Sequence, residues 1–481
     1  MSADGTGTLP HGFRVSLADD AAVLGDAAVL VGGSPLTALR LAPAARGRLD
    51  GGRLTVTDPV SAHLADRLLA TNLARPDLAG VDQAAAGELS VVIPVRDRAV
   101  QLDRCLTALD GLTCIVVDDA SREPAAVADV AARHGARLVP LATNVGPAGA
   151  RNAGLALVDT PYVAFVDSDV QVTPAALLRL TRHLADPSVA LVGPRVVGRS
   201  AGPSPRWYDR YEARASSLTL GRRASAVRPG AAVAWLPSAC LVGRTAALGR
   251  GFDATMRVGE DVDLVWRLTD AGHRVRYDPE VTADHDTRAS VRAWLGRKAF
   301  YGAGSADLAA RHGNYVAPAV LSPVYALAAA ALLTRRRRAL PLAAAALVGG
   351  HRTVARALPA APGAGPLAVR LAARGLGWAV RQESALLLRH WWPAAALAAG
   401  VSRTARRAVL TALAIDLAVT LHETDPLPGR DLPAHLAARR LDDLAYGLGL
   451  WRGALRRRTL APLRPRRSTA RVKPRMNRTM I

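Results

Sequence analysis

Tyr162-Val163-Ala164-Phe165-Val166-Asp167-Ser168-Asp169 carries an apolar run straight into two carboxylates one residue apart. The run Tyr162 to Val166 is rich in aromatic and β-branched residues and reads as a buried strand. A carboxylate pair just beyond such a strand suits a divalent cation that bridges a diphosphate. The same triplet is also ordinary turn chemistry, because Asp and Ser favour turns. The segments around it decide between the two.

Outward from this stretch, from Glu88 on, short β-rich runs alternate with helical ones. The β-rich runs are Leu89 to Val95, Cys114 to Val117, Arg137 to Leu141, Tyr162 to Val166 and Val189 to Val192. Between them lie Leu102 to Leu109, Pro124 to His134, Ala148 to Leu157 and Pro174 to Leu184. That alternation predicts an α/β, doubly wound and mostly parallel sheet. Ligands of such sheets bind beyond the strand C-termini, where Asp118, Asp119, Asp167 and Asp169 fall. The segment Asn144 to Gly154 sets glycines where backbone can approach a ligand, with Arg151 and Asn152 near a helix start as donors toward a nucleotide. Turn and packing service is the plainer role for those glycines.

Four segments taken in order, Leu89 to Arg98, Val116 to Ser121, Asn144 to Gly154 and Phe165 to Asp169, resemble the family 2 glycosyltransferases of GT-A fold. The resemblance implies a Rossmann-like domain that binds a UDP-sugar donor. In it Pro94 ends the first strand where the nucleotide lies, and Asp118 and Asp119 meet base and ribose, with Asp119 favoured. Asp167 then faces the ribose, and Asp169 holds Mn²⁺ or Mg²⁺ on the diphosphate, with His285 as a further ligand. Gly259-Glu260-Asp261 matches the family's acceptor-side helix start, which makes Asp261 the base and sets Glu260 beside it. An isolated acidic cluster there would simply suit the helix dipole. Trp235, in the preceding strand-like segment, is expected to line the acceptor pocket or to be core. No Q-x-x-R-W follows the base, so a processive polysaccharide synthase is not expected.

The 481 residues exceed one ordinary core. Expected units are 1–86, a hairpin-plus-helices module with Asp58 capping a helix that starts at Pro59; 87–290, the catalytic domain; 291–463, an Ala/Leu/Arg-rich helical region; and 464–481, a basic disordered tail. The first unit resembles the small winged-helix modules that bind precursor peptides. Its fusion to such a catalytic domain resembles the glycosyltransferases of the mycofactocin system of actinobacteria. This implies glucose transfer from UDP-glucose to premycofactocin or a related peptide-derived acceptor. A lipid or cell-wall acceptor, and a non-catalytic peptide-binding adaptor, are the competing readings.

The formal charge of +22 concentrates toward the C-terminal part, at Arg335 to Arg338, Arg456 to Arg458 and Arg464 to Arg467. Nucleic acid is not the expected partner, since GC-rich coding accounts for part of the arginine and an anionic membrane surface attracts such clusters equally well. The uncharged run Val316 to Thr334 just reaches spanning length, but Pro318 and Pro323 interrupt it, and a single crossing would put Arg335 to Arg338 outside. Interfacial or re-entrant helices, or a buried helical hairpin, are expected rather than a span. Cys105, Cys114 and Cys240 lack any C-x-x-C spacing and no signal sequence opens the chain. A cytoplasmic enzyme, peripheral at the inner face of the cell membrane, is the expected location.

Overall fold

A computed structural model describes residues 8–200, 202, 204–423 and 431–468. The central sheet runs in the order β11-β15-β12-β14-β10-β7-β8-β9, with β13 added against β15. Its strands are β7 (Leu89–Val95), β8 (Thr113–Asp118), β9 (Arg137–Pro140), β10 (Tyr162–Val166), β11 (Val170–Gln171), β12 (Val189–Arg199), β13 (Ser225–Val227), β14 (Cys240–Arg244) and β15 (Arg274–Asp286). Period-2 alternation builds two cores, one on each face of the sheet. Val91, Ile93, Val116, Ala164 and Val166 point into one, under α3 (Ala99–Ala108), α4 (Pro124–Arg133) and α6 (Pro174–Thr181). Val92, Ile115, Val117, Val163 and Phe165 point into the other, under α5 (Gly146–Leu155) and α8 (Glu260–Asp270).

Parallel pairing joins β10, β7, β8 and β9, as expected, and again β12 with β15. β14 is antiparallel to both β10 and β12, and β11 and β13 are antiparallel to β15, so the sheet is mixed. Strand–helix alternation stops after β12, where α7 (Trp207–Ala215) and a long irregular stretch intervene. No crossover helix then obliges the returning strand to run parallel.

Ahead of this domain, β1 (Arg14–Leu17) is flanked by β5 (Arg53–Thr55) and β6 (Ala74–Asp77), and β2 (Ala22–Leu24), β3 (Val29–Gly32) and β4 (Thr37–Arg40) form a second sheet. With α1 (Pro43–Arg46) and α2 (Pro59–Ala70) they enclose a core of their own around Phe13, Val15, Leu30, Leu54 and Leu68. Asp58 caps α2 by accepting from Ser61 N at 2.8 Å. Asn72 joins the module to the edge strand β13 as a missing strand residue would: its Nδ2 donates to Ala226 O at 3.1 Å, and Ala226 N donates to its Oδ1 at 2.5 Å.

The C-terminal region contains α9 (Val291–His312), α10 (Pro323–Leu333), α11 (Ala339–Ala357), α12 (Ala364–Ala385), α13 (Trp392–Val401), α14 (Arg403–Glu423) and α15 (Leu432–Arg456). Among the described residues no helix is long and apolar enough to cross a membrane. The expected tail is not free where it is described: β17 (Arg466–Arg467) pairs in parallel with β16 (Val320–Leu321), and Arg466 N donates to Ala319 O at 2.9 Å. The rest of that tail, 469–481, lies outside the described residues.

α9 and α15 pack backbone against backbone, because a Cβ added at Gly449 would overlap the Ala299 carbonyl. Gly449→Ala is therefore expected to cost about 1–3 kcal/mol as overpacking. Gly377→Ala, at a helical position with nothing within 4 Å, is expected to gain roughly 0.5–1 kcal/mol. Denaturation midpoints of the two variants should move in opposite directions.

Candidate active site

A cavity of about 1100 Å³ opens beyond the C-terminal ends of β7, β8 and β10. Pro94, Asp119, Arg151, Asp167, Asp169, Trp235, Glu260, Asp261 and His285 all touch it; Asp118 and Asn152 do not. Asp167 leaves β10 with its N–H bonded to Ala239 O at 3.0 Å. The antiparallel β10–β14 pairing thereby draws the Trp235 to Ala239 segment alongside the two carboxylates. The tiny strand β11 pairs Val170 with His285 of β15, which sets the imidazole Nε2 3.6 Å from Asp169 Oδ1.

Asp169 is buried, and burial by itself would keep it protonated. The opposing pull of His285, Arg98 and Arg288 holds it down at about 2. Arg98 donates to Asp169 Oδ2, and Arg288 Nη1 stands 3.6 Å from the same oxygen. Arg297 also lines this end of the cavity and electrostatically opposes Arg288, whose own pKa is lowered first by burial. Two guanidiniums thus hold one carboxylate and a third, Arg297, lines the same cavity, an excess of positive charge suited to a diphosphate. The sequence reading missed all three, since arginine is too common in this chain for any single one to stand out.

Among the described residues no three His, Cys, Asp or Glu side chains cluster as a self-sufficient metal site. Asp169 and His285 do offer two donors within reach of one cation. That fits Mn²⁺ or Mg²⁺, which takes its remaining ligands from phosphate and water.

Of the residues expected at the nucleotide, Asp119 and Arg151 line the cavity while Asp118 and Asn152 do not, and all four have partners within the protein. Asp118 turns away and accepts from Ser121 N at 3.0 Å and Ser121 Oγ at 2.5 Å, closing a turn after β8. Asp119 reaches the cavity, but its oxygens accept from Val145 N at 2.7 Å, Gly146 N at 3.0 Å and Asn144 Nδ2 at 3.0 Å. It caps α5, whose first residue, Gly146, has φ +82°. Asn152 spends both ends of its amide on the Phe252 backbone, at 2.7 and 2.9 Å, and so ties α5 to the loop before α8.

Arg151 is the larger departure. It is 2% exposed, and its guanidinium bridges Asp167 Oδ1 at 2.5 Å and Glu260 Oε1 at 3.1 Å. Expected as a donor to the nucleotide, it lines the cavity and at the same time ties Asp167 to the start of α8. Glu260, which also lines the cavity, is accordingly buried against Arg151.

Asp261 follows Gly259, which takes φ +81° to start α8. Its carboxylate accepts from Val262 N at 2.8 Å and Ser238 N at 3.2 Å and faces the cavity. Burial, reinforced by the adjacent Glu260 carboxylate, pushes it up to about 7. Trp235 also lines the cavity, its segment pinned by Trp266 Nε1 donating to Ala234 O at 2.7 Å. The far wall comes from the C-terminal helices, through Tyr301 of α9, Asp416 of α14 and Tyr446 of α15. Nothing local in their sequence marks them as cavity residues.

A cavity that joins a strand-end carboxylate pair, arginines and a buried carboxylate at a helix start suits sugar transfer from a nucleoside diphosphate, and residues 90–235 match the model of glycosyl transferase family 2. The chain is also 44% identical over 468 residues to a protein of Mycobacterium tuberculosis named pre-mycofactocin glycosyltransferase, in strains CDC 1551 / Oshkosh and ATCC 25618 / H37Rv; the match covers 95% of this chain and 98% of that one. The chain belongs to the pre-mycofactocin glycosyltransferases, enzymes of family 2 with a GT-A catalytic domain. Among solved structures, a mannosyltransferase from Pyrobaculum calidifontis in complex with GDP-Man and Mn²⁺ is 19% identical, with a TM-score of 0.43, over 77% of this chain and 89% of that one.

Proposed function

We propose that the protein is an inverting glycosyltransferase that moves glucose from UDP-glucose to premycofactocin. The acceptor follows the printed name of the relatives that share nearly the whole chain. The reaction class rests on one observation: Asp261, raised to about 7, and Asp169, held at about 2, wall the same cavity. Two carboxylates driven apart in this way divide the work between proton transfer and charge binding.

In this reading Asp261 takes the proton of the acceptor hydroxyl. The freed oxygen lone pair attacks the anomeric carbon from the face opposite the diphosphate. The bond from that carbon to the diphosphate oxygen breaks, and its electron pair leaves on the nucleoside diphosphate. Arg98, Arg288 and Arg297 offset the charge that develops there. Mn²⁺ or Mg²⁺, held by Asp169 and His285, would neutralise diphosphate charge as a Lewis acid. Trp235 offers a face for the acceptor to stack on.

Mass spectrometry of premycofactocin incubated with the protein, UDP-glucose and Mn²⁺ tests the reading. Hexose addition is expected; binding of UDP without addition from any sugar nucleotide would overturn the acceptor and redirect the search to lipid and cell-wall hydroxyls. Asp169→Ala is expected to weaken Mn²⁺-dependent UDP binding at least about tenfold, the scale of losing one metal ligand. Calorimetric titration with and without Mn²⁺ checks this, and unchanged Mn²⁺-dependent binding would remove Asp169 from the metal.

A further inference from the structure

Residues 316–415 contain 13 arginines, no lysine and a single carboxylate, Glu383, whereas the whole chain carries 40 Asp and Glu. Codon bias explains arginine in place of lysine but not this loss of acids, because Asp and Glu remain plentiful elsewhere. The helices formed here also turn apolar side chains outward. In α14 the exposed leucines Leu410, Leu413, Leu417 and Leu421 recur at helical spacing along one face. In α13 Leu397 is 77% exposed and Val401 91% exposed. In α11 Leu340 and Val348, and in α10 Val324 and Leu327, continue the pattern.

These faces are neighbours. α10 packs on α14 through Leu333, Ala408 and Ala412, and α13 and α11 contact α14 and α10 in turn. Arginines edge the apolar surface: the exposed Arg335 to Arg338 turn lies against α14, where Arg335 Nε donates to Thr411 Oγ1 at 3.0 Å, and Arg403, Arg406 and Arg407 are exposed on the first turns of that helix. A protein partner would ordinarily meet a mixture of both charges at such a rim. An apolar face edged by arginine and nearly free of carboxylate complements acyl chains below and anionic headgroups above.

We propose that α10, α11, α13 and α14 form a docking surface for an anionic phospholipid bilayer, on which the protein lies without crossing. The leucines and valines enter the acyl boundary, and the arginine stems extend along it while their guanidiniums hold phosphates. The proposal is independent of the acceptor, since none of the docking residues named belongs to the catalytic machinery.

Flotation of the full chain with vesicles tests it. The protein is expected to float with phosphatidylcholine mixed with phosphatidylglycerol and to stay behind with phosphatidylcholine alone. Replacing Arg336, Arg337, Arg403 and Arg407 by Glu is expected to lower partitioning by about 600-fold, from roughly fivefold per lost arginine contact. A second variant, Leu397→Gln with Val401→Gln, is expected to lose vesicle binding while keeping the wild-type denaturation midpoint, which separates docking from folding. The proposal is overturned if the wild type ignores anionic vesicles, if both variants float as it does, or if ultracentrifugation shows this face joining two copies of the chain while vesicles are ignored.

Discussion

Asp261→Asn is expected to lower the rate of sugar transfer by about 10²–10⁴-fold, the usual contribution of a positioned general base, while UDP and Mn²⁺ bind as before. The amide keeps the shape that Val262 N and Ser238 N hold in place but accepts no proton. In the wild-type protein only ionised Asp261 can act. kcat/KM should therefore climb about tenfold per pH unit below the group's pKa of about 7 and level off above it. The adjacent Glu260 charge helps raise that pKa, so Glu260→Gln is expected to move the limb to lower pH. Full turnover by Asp261→Asn, or a rate flat from pH 5 to pH 8, would remove Asp261 as the base.

Arg151→Met should be the most destabilising change near the site. It removes the cation that Asp167 and Glu260 share and leaves their carboxylates facing each other beside Asp261. Breaking a buried ion pair from one side costs about 3–5 kcal/mol. Asp167 keeps some access to water, with 29% of its side chain exposed, so about 3 kcal/mol is the expected loss. Pairing Arg151→Met with Glu260→Gln should recover more than half of it, because the second change removes one stranded charge. Denaturant titrations of the single and double variants decide the matter; equal midpoints for Arg151→Met and the wild type would show that Arg151 does not hold the cavity wall together. Arg151 also favours the ionised form of Asp261, so any activity left in Arg151→Met should need a higher pH than the wild type.

How much of the site could be read from the chain varies by residue. Asp167, Asp169 and Asp261 were legible because each lies at the end of a strand or the start of a helix, and such positions follow from short-range patterns. Asp118 and Asp119 were legible only as a pair. Which of them reaches the cavity depends on the turn that Ser121 closes and on the α5 N-terminus, which engages Asp119. Arg151 and Asn152 lie on the expected segment, but Asn152 turns away from the cavity and Arg151 is held in its wall, since their partners Phe252 and Glu260 come from about a hundred residues further along the chain.

From its sequence alone the protein was determined to have a nucleotide-binding α/β domain with its carboxylates at the strand ends, because period-2 and period-3.6 patterns are local and survive in any window of ten residues. Only the tertiary structure decided that β14 returns antiparallel, that β11 delivers His285 to Asp169, that Arg151 joins Asp167 to Glu260 in the cavity wall, and that the C-terminal helices supply its far wall. Each of these depends on register and packing between residues far apart in the chain. No periodicity records such pairings, because the energy that selects them arises only when the distant surfaces meet.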